Sequence, residues 1–486
     1  MSEEPLIYDL SSPGRRGVRP PLRQFEPVDP SSVLPDSQVR SDLPLPEASE
    51  IDVMRHFLRL SHKNHSVDTA MYPLGSCTMK YNPKVNEVTA RTPGLADIHP
   101  AQPPATAQGA LELIYELEAL LAAITGFPAV STQPAAGSQG ELCGLLSILA
   151  WHQSRGESRT QVLVPDSAHG TNPATGTMSG LQVISLPTAD DGGIDLQNLE
   201  ESLGPGVAAI MLTLPSTLGL FERRILEVID LVHAAGAQVY CDGANMNAML
   251  GRVRPADLGI DVMHLNLHKT FSTPHGGGGP GAGALAVQAH LEPFLPGPRV
   301  VRNGDAFKLA EAPPTSIGRV HSHLGNFGNL VRAYTYIRSL GAEGLREAAD
   351  DAVLNANYLR ASLSDDYDLP YDRICMHEVV LAGTRQRRLG VRTLDIAKRL
   401  IDYGIHPPTI YFPIIVDEAL MIEPTETESR ESLDNFIDVM RRIAREVESD
   451  PDKLHDAPVN APVRRLDEVT ANRRPNVRRQ SPVGEV

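Results

Sequence analysis

Cysteine is scarce in this chain. The four present, Cys77, Cys143, Cys241 and Cys375, are scattered and form no CxxC pair, which excludes a disulfide framework and suits a reducing compartment. Positive charge is short as well: 44 Lys and Arg against 60 Asp and Glu leave a net charge of −16. That balance argues against a nucleic-acid partner and against a basic face for membrane binding. No apolar run reaches the length of a membrane span. The start, Met1-Ser2-Glu3-Glu4-Pro5, has neither a signal-peptide apolar core nor an Arg/Ser-rich transit pattern, so a cytoplasmic protein is expected. No metal-ligand set, internal repeat, Walker A lysine or Gly-x-Ser-x-Gly elbow is evident. What remains, 41% hydrophobic and 21% charged residues over a chain of 486, is the composition of a soluble globular protein with two or three domains.

Residues 1–50 are rich in Pro, Ser and Asp and read as an extended arm. Amphipathic spacing predicts helices over 51–62 and 106–124, the second stopped by Gly126. From 135 the pattern becomes a strand–helix alternation. A helix over 141–152 follows the turn Ala135-Ala136-Gly137-Ser138-Gln139-Gly140. Strands are predicted at 161–164, 183–186, 207–212, 238–241, 261–267 and 282–287, with a helix at 224–235. Such alternation implies an α/β fold with a mostly parallel sheet, its ligands held at the carboxyl ends of the strands. From about 325 the reading is a smaller α+β domain: helices 324–340, 342–363, 392–403 and 428–447, with a strand near 373–382. The expected organisation is an arm (1–50), a large domain (51–324), a small domain (325–458) and a basic C-terminal arm (459–486).

The strand 261–267 delivers Lys269, and beyond it run Pro274-His275-Gly276-Gly277-Gly278-Gly279-Pro280-Gly281. Consecutive glycines lose backbone entropy and pack nothing, so they suit a backbone that approaches another group closely or a segment that moves. Lys269 alone reads as a surface lysine or as a Schiff-base lysine for pyridoxal phosphate. The other strand ends tilt the balance, because they carry His169, Thr171, Asp242 and Asn245. Pyridoxal chemistry needs a lysine, a carboxylate for the pyridine nitrogen, a flat group on the ring and a phosphate site. Lys269, Asp242, His169 and the Gly137-Ser138 turn fill these roles. That turn would offer free N–H groups and the positive end of a helix dipole, though it reads equally as an ordinary N-cap serine. The loop Tyr72-Pro-Leu-Gly-Ser-Cys-Thr-Met-Lys-Tyr-Asn-Pro83 reads by composition as a tight surface loop.

These segments carry a resemblance. Tyr72–Pro83, His169-Gly-Thr-Asn-Pro173, Asp242-Gly-Ala-Asn245, the His264–Gly281 stretch and Glu423-Pro-Thr-Glu-Thr-Glu-Ser429 resemble the glycine dehydrogenase (decarboxylating), or P-protein, family of the glycine cleavage system. The length resembles the second (β) subunit of its split form. The resemblance implies a type I pyridoxal-phosphate-dependent transferase fold and an α subunit, doubled to α2β2. The implied reaction joins glycine to the cofactor as an aldimine, releases CO2 and passes the aminomethyl group to the lipoyl arm of the H-protein; T-protein and L-protein act in the same system. By motif match Lys269 carries the cofactor, Asp242 faces its pyridine nitrogen and His169 stacks on its ring. Gly137, Ser138, Thr171, Ala244 and His268 are expected around the cofactor. Ser76, Cys77, Thr78 and Lys80 on one loop, and His275, Gly276 and Gly277 on the other, are expected at the entrance. Cys77 reads as a structural cysteine before a redox-sensitive one, and no arginine for the substrate carboxylate can be named.

Three rivals stand beside this reading. An aminotransferase or amino-acid decarboxylase of the same fold lacks a reason for the entrance motifs. An esterase would use His275 and the glycines as an oxyanion loop, but has no nucleophile elbow. A silent scaffold subunit has no need of both Asp242 and Lys269.

Overall fold

Val207 to Met211 are fully buried on both sides, as a central parallel strand must be when helices cover both faces of its sheet. In the computed structural model, which describes residues 4–19, 21–39, 45–275 and 281–477, this segment is an interior strand of a seven-stranded sheet. Its strands are β1 (Ala129–Ser131), β2 (Gln161–Pro165), β3 (Gln182–Leu186), β4 (Val207–Thr213), β5 (Gln238–Gly243), β6 (Val262–Asn266) and β7 (Gly283–Val287), in the order β1-β7-β6-β5-β4-β2-β3. β2 to β6 pair in parallel, and β7 runs antiparallel to β6 and to β1. The α/β, mostly parallel reading therefore holds. Alternate residues feed two cores: Val239 and Met263 pack towards the helices Gln108–Thr125 and Ile225–Ala234, while Tyr240 and Val262 pack towards the helix Gly137–Ser154.

Contacts divide the chain into residues 1–69 with 462–464 and residues 70–461 with 465–486. In the first unit the helix Glu50–Ser61 opens with a capping box, Ser49 and Asp52 exchanging hydrogen bonds. Arg15 pairs with Asp52 at 3.2 Å and Arg59 with Glu4 at 2.6 Å.

In the second unit a hairpin, β8 (Arg299–Asn303) and β9 (Ala306–Ala310), follows the large sheet. Next comes the long helical segment Phe327–Leu363. It breaks at Gly341, whose φ of 65° and ψ of −172° are not helical, so the two helices expected on either side of that glycine are both present. A three-stranded antiparallel sheet of β10 (Val379–Ala382), β11 (Thr409–Ile410) and β12 (Ala419–Ile422), in the order β10-β12-β11, packs with the helices Thr393–Asp402 and Arg430–Ser449 around a core of its own. Arg465 bonds Asp395 at 2.8 Å, and the short helix Glu468–Arg473 follows it. No helix among the described residues is long and apolar enough to cross a membrane.

Candidate active site

β5 and β6 are neighbours, with Asp242 opposite His264 in register, so the residues just past their carboxyl ends share one mouth. β6 ends at Asn266 and the chain turns at once into a single helical turn, Leu267–Thr270, which carries Lys269. The sequence had the lysine coming off the end of a strand over 261–267; the structure ends that strand at Asn266 and sets Lys269 in a helical turn. Lys269 is half-buried, and its Nζ donates to the carbonyl of Ser76 at 2.7 Å. The loop expected at an entrance thus lies against the lysine expected to carry the cofactor.

Asp242 is buried, and burial by itself disfavours its charge. The His264 imidazole (3.3 Å from Oδ1), the Ala244 N–H (2.9 Å to Oδ1), the Asn172 amide (3.0 Å to Oδ2) and the nearby Lys269 outweigh this and hold its pKa below the usual range. Glu141 lies beside it, bonded by Thr171, Asn172 and Thr175. Burial first, and the Asp242 charge second, push the Glu141 carboxyl upwards. One carboxylate of the pair is kept ionised and the other is driven towards its protonated form. Asn172 and His264 stood inside recognised motifs without a role, and Glu141 was missed in the sequence.

His169 follows β2 and is exposed. Its Nδ1 lies 2.9 Å from the Thr171 hydroxyl, and its ring sits edge-on to Phe412 at 5.7 Å. Surrounding protein lowers its pKa, Lys269 adds to this, and Asp242 opposes it. Lys269, Asp242 and His169 are therefore within electrostatic reach of one another. Thr171 donates to Glu141 at 2.7 Å, so its hydroxyl links His169 to the buried carboxylates.

The helix Gly137–Ser154 starts with Gly137 and Ser138 in its first turn, and Ala136 provides no side-chain cap. Its opening N–H groups are left to an outside acceptor. A Cβ on Gly137 would lie 2.4 Å from the Asn266 amide, so glycine is required where the helix start meets the end of β6. Gly140 and Gly144 continue the close approach: their Cβ atoms would lie 2.8 Å from His264 and 2.6 Å from the Tyr240 ring.

The Ser76–Thr78 segment is held from below. Ser76 and Thr78 take φ values of 60° and 49°, uncommon for residues with a side chain. The Ser76 N–H donates to Glu378 at 2.7 Å, and the N–H groups of Cys77 and Thr78 donate to Glu423 at 3.1 and 2.8 Å. The Thr78 hydroxyl adds a bond to Glu423 of 2.6 Å. Both carboxyl groups are fully buried; burial and, for Glu378, the charge of Glu423 raise their pKa values. Burial also pushes the Cys77 thiol up to about 11 against the pull of Lys269, so it carries little thiolate at neutral pH. Glu378 was missed in the sequence, whereas Glu423 stood in a recognised motif without a role.

Lys80 does not line an entrance. It is 3% exposed, and its ammonium bonds the Thr270 carbonyl (2.9 Å), the Tyr336 hydroxyl (3.1 Å) and Glu426 (2.6 Å). Burial opposes its charge, and the Glu426 carboxylate more than offsets this. His268 takes the Ala282 N–H on Nδ1 at 3.2 Å and meets the His275 ring edge-on at 5.1 Å. Burial takes both imidazoles down to about 4, helped at His268 by His275 and at His275 by Lys269. Gly276 and Gly277 lie outside the described residues.

The donor set fits pyridoxal phosphate. A half-buried amine, an ionised buried carboxylate and an uncapped helix start converge on one mouth, and each matches one demand of that group. Fold and site together define the class, a type I pyridoxal-phosphate-dependent transferase fold. The glycine cleavage system P-protein profile matches residues 26–309, and that of the glycine dehydrogenase C-terminal domain matches residues 348–462. The probable glycine dehydrogenase (decarboxylating) subunit 2 of Halalkalibacterium halodurans is 55% identical over 98% of each chain. The protein of the same description from Chlorobium chlorochromatii is 55% identical over 97% of this chain and 98% of its own. Among solved structures, a glycine decarboxylase (P-protein) of the glycine cleavage system in inhibitor-bound form superposes with a TM-score of 0.73 at 22% identity, over 85% of this chain and 94% of that one. An apo cysteine desulfurase from Thermococcus onnurineus NA1 follows at 0.60 and 18%, over 78% and 95%; these two speak for the fold alone. The chain belongs to the P-protein family of glycine dehydrogenases (decarboxylating), among the proteins described as its subunit 2.

Proposed function

We propose that this chain is the cofactor-bearing subunit of a two-subunit glycine decarboxylase, working in the cytoplasm as an α2β2 assembly. It would release CO2 from glycine and hand the aminomethyl group to the lipoyl arm of an H-protein, with T-protein and L-protein completing the system. The observation that carries this reading is the meeting of Lys269, Asp242 and the Ser76–Thr78 loop at the ends of β5 and β6.

Pyridoxal phosphate, when bound, supplies an electron sink for the bond to the substrate carboxylate. Lys269 would hold it through Nζ, Asp242 would face its pyridine nitrogen, the first turn at Gly137 and Ser138 would take its phosphate, and His169 would cover the ring. The chain's own work is then electrostatic and steric. Asp242 keeps a negative charge in a buried place, which favours a proton on any nitrogen set against it. Lys269, once released, offers an amine for proton transfer at Nζ. The loop held by Glu378 and Glu423 keeps the Ser76 carbonyl against that amine.

Borohydride reduction of the cofactor-loaded chain, followed by peptide mapping, tests the assignment. The pyridoxyl group is expected on the peptide containing Lys269. Label on Lys80, or on no lysine, contradicts it.

A further inference from the structure

Behind Asp242 lies a buried chain of polar groups that the reaction does not obviously need. Tyr240 is a fully buried β5 residue whose hydroxyl sits 2.5 Å from Nδ1 of His264. The other nitrogen of that imidazole, Nε2, is 3.3 Å from Asp242 Oδ1. The helix Gly137–Ser154 is shaped around these rings, with Gly140 against His264 and Gly144 against Tyr240. Among the described residues the Tyr240 hydroxyl has no other hydrogen-bond partner. Burial raises its pKa well above 10, and the nearby Glu141, Asp242, Cys241 and Cys143 add to this. It therefore keeps its proton and has one place to put it.

We propose that Tyr240 is a positioning residue of this site. Its hydroxyl donates to His264 Nδ1 and so fixes the imidazole with its proton on Nε2, aimed at Asp242. The aspartate's second oxygen is already taken by Asn172. Glu141, Lys269, His169 and the Cys241 thiol are the other titratable groups that interact with Asp242. With the imidazole fixed, Asp242 is held in one orientation and in its ionised form. A ring tautomer with its proton on Nδ1 would present a lone pair to the carboxylate and remove that support. This inference rests on the reading of Asp242 as the partner of the pyridine nitrogen, but its core, the tautomer of His264, does not depend on any cofactor.

The test has two arms. Ring-15N histidine NMR of the chain without cofactor, with the His264 signal identified by its loss in His264→Gln, reports the tautomer directly. A protonated Nε2 and a bare Nδ1 are expected; a proton on Nδ1 overturns the proposal whatever the variants do. The second arm loads the assembled enzyme with pyridoxal phosphate labelled with 15N in its ring and compares the wild type with Tyr240→Phe. The variant is expected to shift the ring nitrogen towards its unprotonated position. It should also lower kcat for glycine decarboxylation about tenfold, the effect of roughly one pKa unit, with KM for glycine little changed. An unchanged ring-nitrogen shift in a folded, loaded variant overturns the proposal and leaves the function standing. Failure of the wild type to bind the cofactor at Lys269 defeats the functional reading, while the first arm still decides the tautomer.

Discussion

Among the described residues the Lys269 side chain makes one hydrogen bond, to the Ser76 carbonyl, and the residue is only half-buried. Removing its amine takes away the proposed attachment point of the cofactor without opening the core. Lys269→Ala should abolish turnover and covalent cofactor attachment, with a thermal midpoint within a few degrees of the wild type. A variant that keeps near-normal activity contradicts the assignment. Glu423 is the opposite case. It accepts from two backbone N–H groups and a hydroxyl, and Glu423→Ala would leave them unpaired in a buried place. A loss of about 1–3 kcal/mol is expected from the denaturation midpoint, together with weaker cofactor retention. The meeting of Lys269, Asp242 and His169 was legible because their types and spacing at strand ends match a known chemistry. Glu378 and Glu141 were not, because a buried carboxylate looks in sequence like any surface one. Only the fold brings Glu378 beneath the Ser76–Thr78 loop.

At the scale of elements, two segments carry measurable consequences. The helix Gly137–Ser154 lies so close to β5 that a Cβ on Gly144 would sit 2.6 Å from the Tyr240 ring. Gly144→Ala forces that ring or the helix to move and should cost about 1–3 kcal/mol, read as a lowered thermal midpoint. The turn after β6 and the loop behind it bury His268 and His275, whose pKa values fall from 6.5 to about 4. Between those values the unfolded chain binds protons that the folded chain excludes. Their contribution to stability is complete above about pH 6.5 and is lost as pH falls towards 4. Denaturant titrations between pH 7 and 4.5 should show a shallower acid loss in a His268→Asn/His275→Asn double variant than in the wild type. An identical slope contradicts this. The strands of the large sheet were readable because a buried parallel strand is a short apolar run bounded by turn residues. The placement of Lys269 in a helical turn was not, since a turn of four residues leaves no periodicity. Lys80 misled for a related reason: its loop is rich in turn formers, and nothing local says that its side chain points inward to Glu426.

At the scale of the whole molecule, the family assignment and the site make one claim: glycine loses its carboxylate at the mouth formed by β5 and β6. The alternation of strands and helices already indicated that the ends of β5 and β6 would share one mouth, and the break at Gly341 was visible as a glycine between two helical patterns. The existence of a partner chain came only from the family, because a surface awaiting a subunit has no sequence signature of its own. The most direct measurement is the exchange of labelled bicarbonate into the carboxyl group of glycine, with pyridoxal phosphate and lipoylated H-protein, with and without the α subunit. Exchange that requires H-protein and the α subunit together, and that vanishes in Lys269→Ala, is the predicted result. No exchange with every component present and the cofactor bound at Lys269 would contradict the account and assign the site to a different pyridoxal-phosphate reaction.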